Sequence, residues 1–174
     1  MKSILITGSS GFLGSHLLSK LLNQDQFGSI ERITGIDNFI CSNKSELIQA
    51  NRKYNFIEAD LINFDFNQLK KFDVVIHLAS LASPVYYKKF PLETIDIGSS
   101  VTRLLLEKCK EWNSDFIFLS SSEIYGNPSS ENIPTPEEFK GYISCQGARS
   151  CYGESKRLGE TLCYVYNKKY NVNT

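Results

Sequence analysis

At 174 residues, with Lys+Arg and Asp+Glu balanced at 19 each, the chain has the size of one domain and no net field to attract nucleic acid or an anionic membrane. A hydrophobic share of 41% and a charged share of 22% are ordinary for a globular protein, and no apolar run reaches the length of a membrane span. The opening MKSILITGSSG is too short an apolar run for a secretory signal, so the expected location is the cytoplasm; the five cysteines, with no C-x-x-C pair, are expected as reduced thiols, with no metal site.

In chain order, the first strand is expected at Ser3–Thr7, followed by a glycine-rich turn and a helix carrying Phe12, Leu13, His16, Leu17, Leu18, Leu21 and Leu22 at a period of 3.6. Further strands are expected at Arg32–Ile36, Tyr54–Glu58, Asp73–Leu78 and Asp115–Leu119. Each is short and apolar throughout rather than alternating, as in a parallel sheet covered on both faces. Val101, Leu104, Leu105 and Cys109 mark a helix before the last strand. Residues Gly126–Cys145 hold three of the five prolines and read as a long surface loop, and a final helix runs from about Ala148 to Lys169. This alternation predicts an α/β doubly wound parallel sheet, a Rossmann fold.

The glycines after the first strand are spaced Gly8-x-x-Gly11-x-x-Gly14, and their place between a strand and a helix suits a phosphate-binding turn. Gly8 permits the tight turn, Gly11 lets backbone approach a pyrophosphate, and Gly14 allows close helix–strand packing. The N–H groups of Phe12 and Leu13 then face the phosphates. Asp37, with Asn38, ends the second strand 23 residues after Gly14, where a carboxylate accepts the ribose hydroxyls of an adenosine and repels a 2′-phosphate. No Arg follows it, so NAD is expected over NADP. Asp60 and Leu61 are placed for the adenine edge, with a helix cap as the competing role for Asp60. Leu78, Ala79 and Ser80 form a shelf of mostly small residues for the dinucleotide, while His77 reads as a packed strand residue.

Tyr-x-x-x-Lys puts two side chains on one helical face. With nine tyrosines and 14 lysines one such pair is expected by chance, and two occur, Tyr152/Lys156 and Tyr164/Lys168. They lie 12 residues apart on one expected helix, about 18 Å, so both cannot serve one site. The polar run from Ser120 to Gly126 ends the fifth strand at the sheet's carboxyl edge, where ligands of open α/β sheets bind, and it favours the first pair. A free phenol is almost wholly protonated at pH 7; a neighbouring ammonium and a cationic cofactor ring favour its ionised form. Tyr152 is then a general base for a sugar or alcohol hydroxyl that Ser122 or Ser121 holds.

Taken together these residues resemble the extended short-chain dehydrogenase/reductases, the NAD-dependent epimerase/dehydratase superfamily, from Lys2 to about Tyr170. Within it the chain is most similar to the UDP-glucuronate decarboxylases, or UDP-xylose synthases. The closer likeness rests on GFLGSHL from Gly11, HLASLASP from His77 with Tyr87 and Pro91 after it, SSEIYG from Ser121, and ARSCYGESKR from Ala148. The resemblance implies a nucleotide-sugar substrate, UDP-glucuronate, with Tyr152, Lys156, Ser122 and Glu123 catalytic, and Tyr152 and Lys156 also touching the cofactor. The 4,6-dehydratases of the superfamily carry Asp-Glu where this chain has Ser122-Glu123, and its 4-epimerases usually lack the glutamate. Decarboxylation through a 4-keto sugar is therefore the expected reaction, with epimerisation or dehydration second and a non-catalytic NAD-binding module as the alternative class. Two departures are Asp96, where relatives have Asn, and Ser99, where they have Gly. Relatives also run well past Asn171–Thr174, where a sixth strand is expected to begin, so the chain corresponds to the cofactor half, with the substrate domain absent or supplied by a separate chain. The resemblance further implies a homodimer built on helices near Ser99–Glu111 and Ala148–Lys169, with Leu104, Leu105, Leu158, Leu162 and Val165 on their apolar faces, where covering the sheet is the competing role.

Overall fold

The computed structural model describes residues 2–23, 30–44 and 51–174. Five strands, β1 (Lys2–Thr7), β2 (Ile30–Asp37), β3 (Tyr54–Glu58), β4 (Val74–His77) and β5 (Asp115–Phe118), form one parallel sheet in the order β3-β2-β1-β4-β5. The order reverses beside β1, which creates the crevice where ligands of open α/β sheets bind. Register then brings the carboxyl ends together, because Thr7 lies opposite Ile36 on one side and His77 on the other.

Both faces of the sheet are covered, which is why its strands are apolar at consecutive positions. Ile4, Ile6, Ile33 and Ile76 pack with Leu18 of α1 (Phe12–Asn23) on one face. Leu5, Val75 and Phe116 pack on the other with Leu105 and Leu106 of α4 (Thr102–Trp112) and Tyr166 of α5 (Ser150–Tyr170). Helices α4 and α5 both stop on an asparagine in the left-handed region, Asn113 at φ 56° and Asn171 at φ 61°. Strands β4 and β5 end one residue earlier than the sequence suggests, although the Leu78 and Leu119 amides still bond to Thr7 and His77 carbonyls. The final helix starts at Ser150, two residues after the expected Ala148. Phe116 N–H donates to the Asn173 carbonyl at 2.8 Å, so the last residues run along the outer edge of β5, where the sixth strand is expected.

Residues 84–101 hold helical structure that the apolar periodicity does not announce. Two six-residue helices, α2 (Pro84–Lys89) and α3 (Pro91–Asp96), each start on a proline, whose fixed φ suits a first turn. A π turn, Ile97–Val101, joins α3 to α4 and puts Ile97 against the carboxyl end of β4. Asp96 closes α3, and Ser99 Oγ bonds back to the Ile95 carbonyl at 2.6 Å. Of the residues expected on a dimer face, Leu105 is fully buried and Leu162 packs against the core, so both cover the sheet, while Leu104, Leu158 and Val165 stay exposed.

Candidate active site

The site is built from the ends of the strands outward. Thr7 closes β1, and Gly8 follows at φ +70°, a conformation that favours glycine. A side chain on Gly8 would meet the Ala79 backbone at 2.6 Å, so the turn lies against the chain leaving β4. A side chain on Gly14 would strike the Gly8 carbonyl and lie 2.8 Å from Ser9, so Gly14 packs the helix onto the turn rather than lining the cleft. Gly11 is less confined: a Cβ there meets only the Gly8 carbonyl, at 3.3 Å, a close contact that a shift of a few tenths of an ångström in that carbonyl relieves.

Gly8 and Gly11 line a cleft together with Asp37, Asn38, Asp60 and Leu61. Leu78, Ala79 and Ser80 form its opposite wall. Phe12 and Leu13, 79% and 56% exposed, lie outside this lining on the first turn of α1, where N–H groups lack intrahelical acceptors. The sequence missed Cys41, Ser42 and Ile97, which also line the cleft. The first two follow the turn that Asp37 starts; Ile97 arrives through the π turn, which has no apolar signature.

Asp37 orders this end of the site. One carboxylate oxygen accepts the Ser10 N–H at 2.9 Å, tying the glycine turn to β2, and the other accepts the Phe39 N–H at 2.8 Å and the Ser42 hydroxyl at 3.3 Å. Asp60 Oδ1 accepts the Ile62 N–H at 3.0 Å, a turn-capping role, while the residue also lines the cleft. The Ser10 hydroxyl is buried without a hydrogen-bond partner among the described residues. A buried orphan hydroxyl and first-turn N–H groups are features that a dinucleotide's phosphates satisfy.

His77 is wholly buried behind the shelf. Its Nε2 faces the Ile97 carbonyl at 3.2 Å, so that nitrogen carries the hydrogen, and Nδ1 accepts from the Thr7 hydroxyl at 2.6 Å. Burial, and then the charge of Lys156, push its pKa down to about 3. It is a neutral structural link, as its strand position suggests.

The Tyr-Lys pair comes from α5. Small residues let this helix approach closely: Gly98 fits against Ser155, and Gly159 against the Phe118 ring. Tyr152 is buried and its ring stacks on Tyr87 of α2, with centroids 5.5 Å apart and planes at 13°. Lys156, one turn on, is 3% exposed and donates to the Leu119 carbonyl at 2.7 Å, at the carboxyl end of β5. Burial lowers its pKa to about 8. Tyr164, of the second Tyr-Lys pair, is 65% exposed.

Ser122 and Glu123 open a 3-10 turn, Ser122–Tyr125, immediately after β5. Ser121 caps it by accepting the Glu123 N–H at 3.2 Å, which engages one of the two expected substrate hydroxyls and leaves the exposed Ser122 as the other. The Glu123 carboxylate pairs with Arg149. A Cβ on Gly153 would lie 3.6 Å from the Glu123 carbonyl, so the Tyr152 segment and the Ser-Glu turn are packed together.

A glycine turn joined to a strand-end aspartate, at the crevice of a parallel sheet, defines a dinucleotide-binding α/β protein of Rossmann type. The chain belongs to the NAD dependent epimerase/dehydratase family, whose model matches residues 4–174, and NAD is its cofactor. It is 37% identical over 173 residues to UDP-glucuronic acid decarboxylase 1 of Xenopus tropicalis, covering 98% of this chain and 39% of that protein. UDP-glucuronic acid decarboxylase 1 of Arabidopsis thaliana is 36% identical over 171 residues, covering 97% of this chain and 37% of that protein. Among solved structures, the UDP-glucuronic acid 4-epimerase from Bacillus cereus in complex with NAD matches with a TM-score of 0.78 and 32% identity, over 98% of this chain and 54% of that one. The chain thus spans under half the length of these decarboxylases and about half that of the epimerase. No helix among the described residues is long and apolar enough to cross a membrane.

Proposed function

We propose that the protein carrying this chain decarboxylates UDP-glucuronate to UDP-xylose, with residues 1–174 as its NAD-binding unit. The observation that carries the reading is the Ser122-Glu123 turn packed beside Tyr152 and Lys156 at the carboxyl edge of the sheet. In this reading the Phe12 and Leu13 amides and the turn around Gly11 hold the pyrophosphate, and Asp37 takes the adenosine ribose. Asn38, Asp60 and Leu61 border the adenine, and the Leu78–Ser80 shelf supports the nicotinamide half. NAD, when bound, accepts a hydride from carbon 4 of the sugar and later returns it.

The chain's own residues manage the protons. Tyr152 takes the proton from the carbon 4 hydroxyl as that carbon is oxidised. The buried Lys156 ammonium stabilises the phenolate in a low-dielectric setting, and with a pKa of about 8 it is still about nine-tenths protonated at pH 7. Ser122 holds the sugar hydroxyl. The 4-keto group then makes the sugar a β-keto acid, which releases carbon dioxide as the electron pair of the broken carbon–carbon bond moves toward the ketone. Glu123 directs reprotonation of carbon 5. Asp37, beside the adenosine ribose, selects NAD over NADP.

A 4-epimerase is the second reading, favoured by the match to the Bacillus cereus enzyme. Product mass separates the two. Incubated with NAD and UDP-glucuronate, a decarboxylase yields carbon dioxide and a five-carbon sugar nucleotide, whereas an epimerase yields an isomer of unchanged mass. No turnover of any nucleotide sugar, with NAD still bound, would favour a non-catalytic binding module. The homodimer reading rests on the exposed Leu104, Leu158 and Val165; light scattering at micromolar concentration reads it, and a monomer contradicts it. The protein is proposed to work in the cytoplasm.

A further inference from the structure

Glu123 and Tyr152 come from different segments, and two side chains that the reaction scheme does not use connect them. Tyr87 on α2 is 2% exposed, and its ring lies flat against the Tyr152 ring. Its backbone carbonyl accepts the Cys151 thiol at 3.6 Å, so the residue before Tyr152 is anchored to the same place. Arg149 stands at the start of α5, where its carbonyl accepts the Tyr152 and Gly153 N–H groups, each at 3.2 Å. Its guanidinium meanwhile pairs with Glu123. The Glu123 carboxylate, and after it the Tyr87 phenol, hold the Arg149 guanidinium above its ordinary pKa.

We propose that Arg149 and Tyr87 are positioning residues that join Glu123 and Tyr152 into one unit, Arg149 holding Glu123 through its side chain and the first turn of α5 through its carbonyl, and Tyr87 fixing the plane of the Tyr152 ring. The energetics favour orientation over stability. Arg149 is 64% exposed in its side chain, and an exposed ion pair contributes little to the folding free energy. The stacked ring limits Tyr152 to one plane, which matters for a base that must meet a hydroxyl within hydrogen-bond reach. This inference rests on the decarboxylase reading for its kinetic arm alone.

The experiment has two arms on the full protein. The first measures amide hydrogen exchange, with no substrate present, in wild type and in Arg149→Met. The Tyr152 and Gly153 amides are expected to exchange at least tenfold faster in the variant, with thermal unfolding unchanged; unchanged exchange overturns the proposal. The second measures UDP-glucuronate decarboxylation by Arg149→Met, Arg149→Lys, Tyr87→Leu, Tyr87→Phe, Glu123→Gln and the Arg149→Met/Glu123→Gln double variant. Arg149→Met and Tyr87→Leu are expected to lower kcat at least tenfold, with KM and NAD affinity within twofold of wild type. Tyr87→Phe and Arg149→Lys are expected to recover part of the loss. The double variant is expected to be no slower than its worse parent, because the two residues act as one unit. Multiplicative losses, or a change confined to KM, overturn the proposal. If wild type releases no carbon dioxide, the functional reading fails, and the exchange arm still decides this one.

Discussion

Lys156 Nζ lies 5.8 Å from the centroid of the Tyr152 ring while donating to the Leu119 carbonyl at 2.7 Å, so the ammonium is fixed between the proposed base and the end of β5. The carbonyl orients the amine, and burial lowers its pKa from 10.5 to about 8. A desolvated cation is a stronger partner for a phenolate than one in water.

That burial has a thermodynamic signature. Unfolded Lys156 keeps its proton up to about pH 10.5, whereas the folded protein releases it near pH 8, so the unfolded state binds more protons between these values and stability rises with pH across the window. The gain is about 3 kcal/mol at most. Lys156→Met is expected to lack it. Denaturant unfolding of both proteins from pH 7 to about pH 10.5 checks this, and parallel pH profiles would contradict the burial of a charged Lys156.

His77 acts with the same sign in an acid window. Its folded pKa of about 3 lies below the ordinary 6.5, so stability is fully present above pH 6.5 and is lost as pH falls toward 3. His77→Gln is expected to be less stable than wild type at neutral pH, through loss of the links to Thr7 and Ile97, yet to show a flatter acid limb. Unfolding curves between about pH 4 and 7 report both effects.

The glycines separate packing from binding. Gly14→Ala drives a methyl group into the Gly8 carbonyl and is expected to cost about 1–3 kcal/mol of stability. Gly11→Ala needs the Gly8 carbonyl to give by only a few tenths of an ångström and is expected to unfold within about 1 kcal/mol of wild type while losing at least tenfold in NAD affinity, because its Cβ occupies the cofactor's approach. Thermal unfolding and calorimetric titration distinguish the two positions. Equal effects at both would mean that the turn does not meet the pyrophosphate.

Asp37 is expected to set cofactor choice. Two like charges about 4 Å apart cost roughly 1 kcal/mol in water and about 4 kcal/mol near a protein surface, so NAD should bind at least tenfold tighter than NADP. Asp37→Ala is expected to narrow that gap. It should also weaken both cofactors, since the carboxylate holds the Ser10 amide of the glycine turn. Calorimetry with both cofactors is the check, and a variant as selective as wild type would place Asp37 away from the ribose.

The parallel sheet and much of the lining of the cleft at its carboxyl edge were legible in the sequence because their signals are local. Apolar runs such as Ile4–Ile6 and Val74–Ile76 are buried on both faces, and glycine spacing encodes the turn. Leu105 stayed open in the sequence between a dimer face and cover for the sheet, because its periodicity gives the apolar face of α4 without saying what covers it. Ile97 was hidden because a π turn shifts the helical phase, and α2 and α3 are too short for a period to show. The pairing of Arg149 with Glu123 joins residues 26 positions apart on either side of a loop, and no local pattern marks it.

In the proposed reaction carbon 4 is oxidised and reduced again at the Tyr152 site while carbon dioxide leaves. UDP-glucuronate carrying deuterium at carbon 4, turned over with unlabelled NAD and analysed by mass spectrometry and NMR, tests it most directly. The expected product is UDP-xylose that retains the deuterium at carbon 4, formed with release of carbon dioxide and abolished in Tyr152→Phe. A six-carbon product, or UDP-xylose without deuterium at that carbon, would contradict it.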